Sequence, residues 1–147
     1  MSAAAVAGVP GGPSPVALAA VRRLVAAGRT VAVAESLTGG AVTAALVDVP
    51  GASACLRGGV VAYATDLKAR VLGVPADLLE RHGAVHVDVA LAMARGVREA
   101  LGADVGVATT GVAGPDPQDG RPPGEFHVAV VGPEGEVTRS VAPHGPA

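Results

Sequence analysis

Apolar positions recur with two different periods along this chain, and their alternation lays out the expected elements. From Val16 to Gly28, the residues Val16, Ala19, Ala20, Val21 and Leu24 share one helical face, and a glycine closes the run. Thr30–Ala34 is a short, largely apolar stretch of the kind that forms a buried strand. Thr38–Val47 reads as a helix ended by Pro50-Gly51, Gly58–Ala64 as a second strand, and Asp66–Leu72 as a short helix. Pro75–Arg81 suits a helix with proline at its first position. Val87–Leu101 is the longest amphipathic segment, closed by Gly102, and Val105–Thr109 is a third strand. A Gly/Pro-rich loop spans Gly111–Gly124. Phe126–Val131 and Glu136–Val141 then pair as a hairpin across Gly132-Pro133-Glu134-Gly135. The alternation predicts an α/β fold on one sheet of about five strands, mostly parallel but mixed because of the terminal hairpin.

Composition narrows this picture. The hydrophobic fraction is 50% but aromatic residues make up only 1%, so alanine and valine must fill the core. Such a core suits valine-rich strands covered on both faces by alanine-rich helices, and 147 residues are enough for one such domain. A net charge of -2 offers no basic patch for nucleic acid. The opening MSAAAVAGVPGGPSP has no positive leading region and is broken by Pro10, Pro13 and Pro15. It predicts a disordered leader over residues 1–15, neither a signal peptide nor a membrane span. The folded domain is then expected over 16–141, with a disordered tail over 142–147. Cys55 is the single cysteine, which excludes an internal disulfide and accords with a soluble, cytoplasmic setting.

In α/β sheets, ligands gather at the carboxyl ends of the strands, and three loops there carry candidate chemistry. In Ala34-Glu35-Ser36-Leu37-Thr38-Gly39-Gly40, Ser36 follows a strand and precedes a glycine pair and a helix. A hydroxyl there can act as a nucleophile beside helix N–H groups, or Ser36 or Thr38 can simply cap the helix, the commoner role for such residues. In Val61-Ala62-Tyr63-Ala64-Thr65-Asp66-Leu67-Lys68, Lys68 is the only lysine against ten arginines, and Tyr63 is the only tyrosine. A desolvated lysine can lose its proton and serve as a base where guanidinium cannot, and a phenol can relay a proton. The alternative is a surface lysine opening a helix and a half-buried tyrosine at a strand end. The third loop, Thr109-Thr110-Gly111-Val112-Ala113-Gly114-Pro115, could line an anion with backbone N–H groups or be no more than a turn. Glu35 is expected to be buried, orienting Ser36 or Lys68 or satisfying loop amides. His82 and His86 lie four apart around Gly83 with no third ligand evident, so no metal is expected there. His127 reads as a structural strand residue, and Asp116 and Asp119 as turn formers.

Together these segments carry a resemblance. Ala34-Glu35-Ser36-x-Thr38-Gly39-Gly40, Val49-Pro50-Gly51-Ala52-Ser53, Gly58-Gly59-Val60-Val61-Ala62-Tyr63, Leu72-Gly73-Val74, His82-Gly83-Ala84-Val85 and Thr110-Gly111-Val112-Ala113-Gly114-Pro115 resemble the CinA C-terminal domain family in order and spacing, over about Val16–Val131. The resemblance implies a three-layer α/β/α fold around a mixed five-stranded sheet. It also implies hydrolysis of the carboxamide of nicotinamide mononucleotide to nicotinate mononucleotide and ammonia, a step in pyridine-nucleotide metabolism that uses no cofactor and no metal. Its serine nucleophile falls on Ser36, its tyrosine on Tyr63 and its lysine on Lys68. Amides at Thr38, Gly39 and Gly40 become candidates for holding an oxyanion, and Thr110, Gly111, Ala113 and Gly114 for contacting the substrate.

The chain departs from the family pattern at Leu37, where cysteine is usual, and at His86, where serine is usual. Pro122-Pro123-Gly124-Glu125 puts a carboxylate where a neutral hydroxyl is expected, and an acid facing the pocket would repel a phosphorylated substrate. The family's usual closing segment, with its substrate-binding arginine, has no counterpart in Ala142–Ala147. That leaves two competing expectations, a catalytically degenerate nucleotide-binding or assembly subunit and a Ser-Lys hydrolase of another amide or ester. It also predicts an uncovered sheet face and hence a homodimer.

Overall fold

The computed structural model describes residues 11–143. Its strands are β1 (Val31–Glu35), β2 (Leu56–Val61), β3 (Val105–Gly111), β4 (Phe126–Gly132) and β5 (Gly135–Val141). They form one sheet in the order β2-β1-β3-β4-β5. β1 pairs parallel with both β2 and β3, whereas β4 and β5 are antiparallel additions. The expected mixed sheet is therefore present, and the hairpin turns on Pro133-Glu134.

Successive side chains of a strand point to opposite faces, and all five residues of β1 are buried, so both faces of the sheet centre are covered. Ala32 and Ala34 meet α5 (Val87–Ala100), together with α3 (Thr65–Leu72) and α4 (Ala76–His82). Val31 and Val33 meet α1 (Pro15–Ala27) and α2 (Ala41–Val47). This is a three-layer α/β/α arrangement. Helix α5 buries Val89, Ala90, Met93, Ala94 and Val97, spacings of one, three and four that make a single stripe. Alanines on the facing strands, Ala108 and Ala129 among them, let that stripe sit close to the sheet. Gly96 does the same for α3 against α5: a methyl group there would collide with the Leu72 carbonyl.

The helix expected over Thr38–Val47 begins only at Ala41, because Gly39 and Gly40 adopt φ of 59° and 109° and turn the chain before it. Pro75 is the N-cap of α4, one place ahead of its expected position. Other boundaries shift by up to three residues. The expected leader and tail fall largely on residues outside those described; Ser14 caps α1, which begins at Pro15. On the face of β4 and β5 turned away from α5, Val130, Val137 and Val141 are 37%, 58% and 43% exposed, with no helix over them among the described residues. Arg95 of α5 reaches Glu136 of β5 through a bidentate pair at 2.7 and 2.6 Å.

Candidate functional site

β1 stops at Glu35, and Ser36 stands just past its carboxyl end, between the ends of β2 and β3. Lys68 lies in the first turns of α3 with its side chain turned inward, 1% exposed. Its Nζ is 2.9 Å from Ser36 Oγ, 2.8 Å from the Ala62 carbonyl and 3.2 Å from the Tyr63 carbonyl. An ammonium would donate to all three oxygens. A neutral amine would donate to the two carbonyls and turn its lone pair to the Ser36 hydroxyl, so the geometry accepts either state. Burial pushes Lys68 down from 10.5 to about 8, opposed by the Asp119 carboxylate, and no carboxylate forms an ion pair with it among the described residues.

Glu35 is fully buried, and its carboxylate faces α2 rather than the lysine. It accepts from the Val42 and Thr43 amides, each at 2.9 Å, and from Thr43 Oγ1 at 2.6 Å. Burial alone would raise its pKa; hydrogen bonds from Thr38, Thr43 and the two amides outweigh that and hold it below the usual value. Of its expected roles, Glu35 takes that of satisfying amides. It thereby supplies the helix cap that the local sequence offered to Ser36 or Thr38, which frees the serine.

Ser36 opens into a cavity of about 290 Å³ bounded by Leu37, Tyr63 and residues 111–118. Gly111, Ala113 and Gly114 line it, where the sequence pointed. Thr110 does not: it is buried, and its Oγ1 donates to the Ala84 carbonyl at 2.7 Å, tying β3 to the α4–α5 connection. Thr38, Gly39 and Gly40 also lie off the cavity wall. Thr38 Oγ1 pairs with Thr109 Oγ1 at 2.7 Å, and the Gly39 amide donates to the Ser36 carbonyl at 3.1 Å, so that amide is occupied. The amides of Leu37, Thr38 and Gly40 donate to no protein acceptor among the described residues.

Tyr63 departs from expectation in one respect. Its carbonyl, not its phenol, contacts Lys68; the ring is 68% exposed at the cavity mouth. A phenol relay between Lys68 and Ser36 is not built, because the lysine reaches the hydroxyl directly. Glu125 is likewise displaced from its feared position. Its carboxylate lies off the cavity wall, 3.6 Å from Arg121 and 3.3 Å from His127 Nε2. Sequence reasoning did not select Leu37, Pro117 or Gln118 for the cavity and read Asp116 and Asp119 only as turn formers, whereas Asp116 lines the cavity and Asp119 Oδ2 accepts from the Ala84 amide at 3.1 Å. Only the density of proline and glycine over 111–124 signalled that this stretch would fold back as a wall.

A three-layer α/β/α fold with a buried lysine hydrogen-bonded to a serine at the carboxyl ends of its parallel strands defines the class. Within that class, the model of the CinA C-terminal domain matches residues 14–146, and the chain belongs to this family. It is 58% identical over 118 residues to a CinA-like protein of Frankia casuarinae, covering 80% of this chain and 27% of that protein. A CinA-like protein of Anaeromyxobacter dehalogenans is 54% identical over 128 residues, 85% of this chain and 31% of that one. The chain thus spans about a third or less of these relatives. Among solved structures, a competence-damaged protein (CinA) superfamily protein of Escherichia coli superposes with a TM-score of 0.83 at 33% identity, over 88% of this chain and 76% of that one. The competence/damage inducible protein CihA of Agrobacterium tumefaciens gives 0.79 at 33% identity, over 90% and 83%. No helix among the described residues is long and apolar enough to cross a membrane.

Proposed function

We propose that the chain is an amidohydrolase that converts nicotinamide mononucleotide to nicotinate mononucleotide and ammonia, with Ser36 as nucleophile and Lys68 as its base. The observation that carries this reading is the buried Lys68 Nζ at 2.9 Å from Ser36 Oγ, unpaired with any carboxylate among the described residues and its pKa lowered to about 8. Neutral Lys68 takes the Ser36 proton as Oγ attacks the amide carbon. The tetrahedral oxyanion is held by free amides of the turn after Ser36, among which Leu37 lies on the cavity wall. Lysine then returns the proton to the departing nitrogen, which leaves as ammonia and an ester to Ser36 remains. Water deprotonated by Lys68 cleaves that ester and releases the acid. Tyr63 offers its exposed ring at the mouth to the flat heterocycle, and the backbone of 111–116 meets the rest of the nucleotide. A cytoplasmic setting accords with such a small-molecule reaction and with the free thiol of buried Cys55.

Ammonia release from nicotinamide mononucleotide, measured for the chain and for Ser36→Ala, tests the reading. Turnover that disappears in the variant supports it; a folded chain without turnover sinks it. One observation favours a second reading, a subunit that binds a nucleotide without turning it over. Among the described residues the charged one on the cavity wall is Asp116, with no arginine beside it to meet a phosphate. Calorimetric binding of the mononucleotide with no ammonia produced would select that alternative.

A further inference from the structure

Away from the serine, the α4–α5 connection gathers side chains that the proposed chemistry does not use. His82 is the last residue of α4 and His86 is the N-cap of α5. Their rings stack with centroids 3.9 Å apart and planes 10° from parallel. The missing third donor is Asp88 in the first turn of α5: one ligand atom from each of His82, His86 and Asp88 lies within 4.8 Å of the other two. We propose that these three residues form a binding site for one divalent first-row transition ion of the zinc type, which clamps α4 to α5.

The donor set fits that chemistry. Two imidazoles and one carboxylate suit borderline ions such as zinc, leaving a fourth position to solvent. Bonds of about 2.0–2.1 Å in a tetrahedron put ligand atoms about 3.3 Å apart. His86 Nδ1 and Asp88 Oδ2 are already 3.7 Å apart, while the two stacked imidazoles must rotate out of their stack for both ring planes to meet at the ion. That same Nδ1 accepts the Asp88 amide at 3.1 Å, which leaves its lone pair unprotonated and the other ring nitrogen carrying the hydrogen. An ion would take over this lone pair in place of the cap hydrogen bond.

The backbone beneath is held independently of any ion. Gly83 N donates to the Leu79 carbonyl at 2.8 Å, Ala84 N to Asp119 Oδ2 and Thr110 Oγ1 to the Ala84 carbonyl. The two imidazoles are only partly buried and Asp88 is exposed, so an ion can enter from solvent. The nearby Arg121 guanidinium is turned to Glu125 at 3.6 Å, which offsets its repulsion of a cation. A third imidazole flanks the cluster from β4. The His127 ring lies 6.5 Å from that of His86, with its Nδ1 on Ser140 Oγ and its buried Nε2 facing the Glu125 carboxylate at 3.3 Å. Asp119, which follows the cavity-lining Gln118, holds the Ala84 amide between the two histidines, so the clamp would also steady that wall.

The test uses the untagged full-length chain, stripped with a chelator and titrated calorimetrically with zinc chloride; cobalt(II) absorption then reports coordination geometry. One equivalent of zinc per chain is expected, with a rise in Tm and tetrahedral-type cobalt bands. His82→Gln and His86→Asn should each weaken zinc binding at least tenfold and abolish the Tm rise. Asparagine retains an N-cap acceptor, so the metal-free His86→Asn protein should melt near wild type. Zinc binding that is absent in the folded wild type, or unchanged in either variant, would overturn the site.

Discussion

If neutral Lys68 is the base, the pH dependence of turnover must carry its ionisation. With the folded value near 8, about 10% of the lysine is neutral at pH 7 and about 1% at pH 6. The slope of log(kcat/KM) for nicotinamide mononucleotide should therefore be close to one below pH 7 and flatten above 8.5. The plateau should stand about tenfold above the pH 7 value. Lys68→Arg keeps the cation but cannot release a proton, so its rate should fall by about 10²–10⁴ and its profile should lose the limb near 8. Chromatographic separation of the acid product follows the reaction at every pH without depending on ammonia chemistry. A limb centred near 6.5, a flat profile from 6 to 9, or a limb near 8 that survives in Lys68→Arg would each refute the assignment.

The same ionisation must be visible without substrate. A lysine whose value falls from 10.5 unfolded to about 8 folded binds fewer protons in the native state across that window. Unfolding free energy therefore rises with pH between about 8 and 10.5, by about 3 kcal/mol in all, and the contribution is constant below 8. Cys55, whose thiol burial pushes up, contributes in the opposite direction at similar pH. The difference between wild type and Lys68→Met isolates the lysine.

Glu35→Gln should cost about 2 kcal/mol at pH 7, because an amide replaces a carboxylate that accepts three hydrogen bonds at the start of α2. Since its folded pKa lies below 4.5, that stability is present above this value and lost as pH falls through the folded one, so urea midpoints of the two proteins should converge in acid. Gly96→Ala should destabilise by about 2–3 kcal/mol, more than the gain in helix propensity, because its methyl meets the Leu72 carbonyl; thermal melts would show it. Val130, Val137 and Val141 form an uncovered apolar patch, from which we propose a homodimer; light scattering at micromolar concentration should give twice the chain mass for wild type and the monomer for Val137→Lys. A monomeric wild type would refute that pairing.

The fold was legible wherever one segment's own pattern decided its state. The α5 stripe and the apolar β1 run each needed only their own residues, and both stand where periodicity put them. Errors arose where distant groups intervene. Thr38–Val47 looks helical throughout, but the carboxylate that starts α2 belongs to Glu35 in the preceding strand, and the chain turns at Gly39-Gly40 to reach it. The third donor beside His82 and His86 was invisible for a similar reason. Asp88 is only two places from His86, a spacing that faces away within a helix but turns back across an N-cap. Tyr63 was read as a proton relay, whereas it meets Lys68 through its carbonyl and lines the cavity with its ring, because sequence proximity to Lys68 says nothing about which atoms of the tyrosine meet the amine.

The strongest argument for chemistry at Ser36 lies in a pairing the fold declines to make. Burying an ammonium is costly unless an anion meets it, and the simplest remedy is a neighbouring carboxylate. One is at hand, since Glu35 adjoins the serine that Lys68 touches and is itself fully buried. Instead, its oxygens are directed to the Val42 and Thr43 amides and the Thr43 hydroxyl, and Lys68 is left with two carbonyls and a hydroxyl. A chain selected for stability alone would join the two charges or replace the lysine with methionine. Keeping them apart leaves Lys68 without a carboxylate partner among the described residues, its pKa lowered by burial to about 8, with Nζ 2.9 Å from the Ser36 hydroxyl that opens into the cavity. That separation costs stability below pH 8, and under the proposed function it leaves a base within reach of the nucleophile.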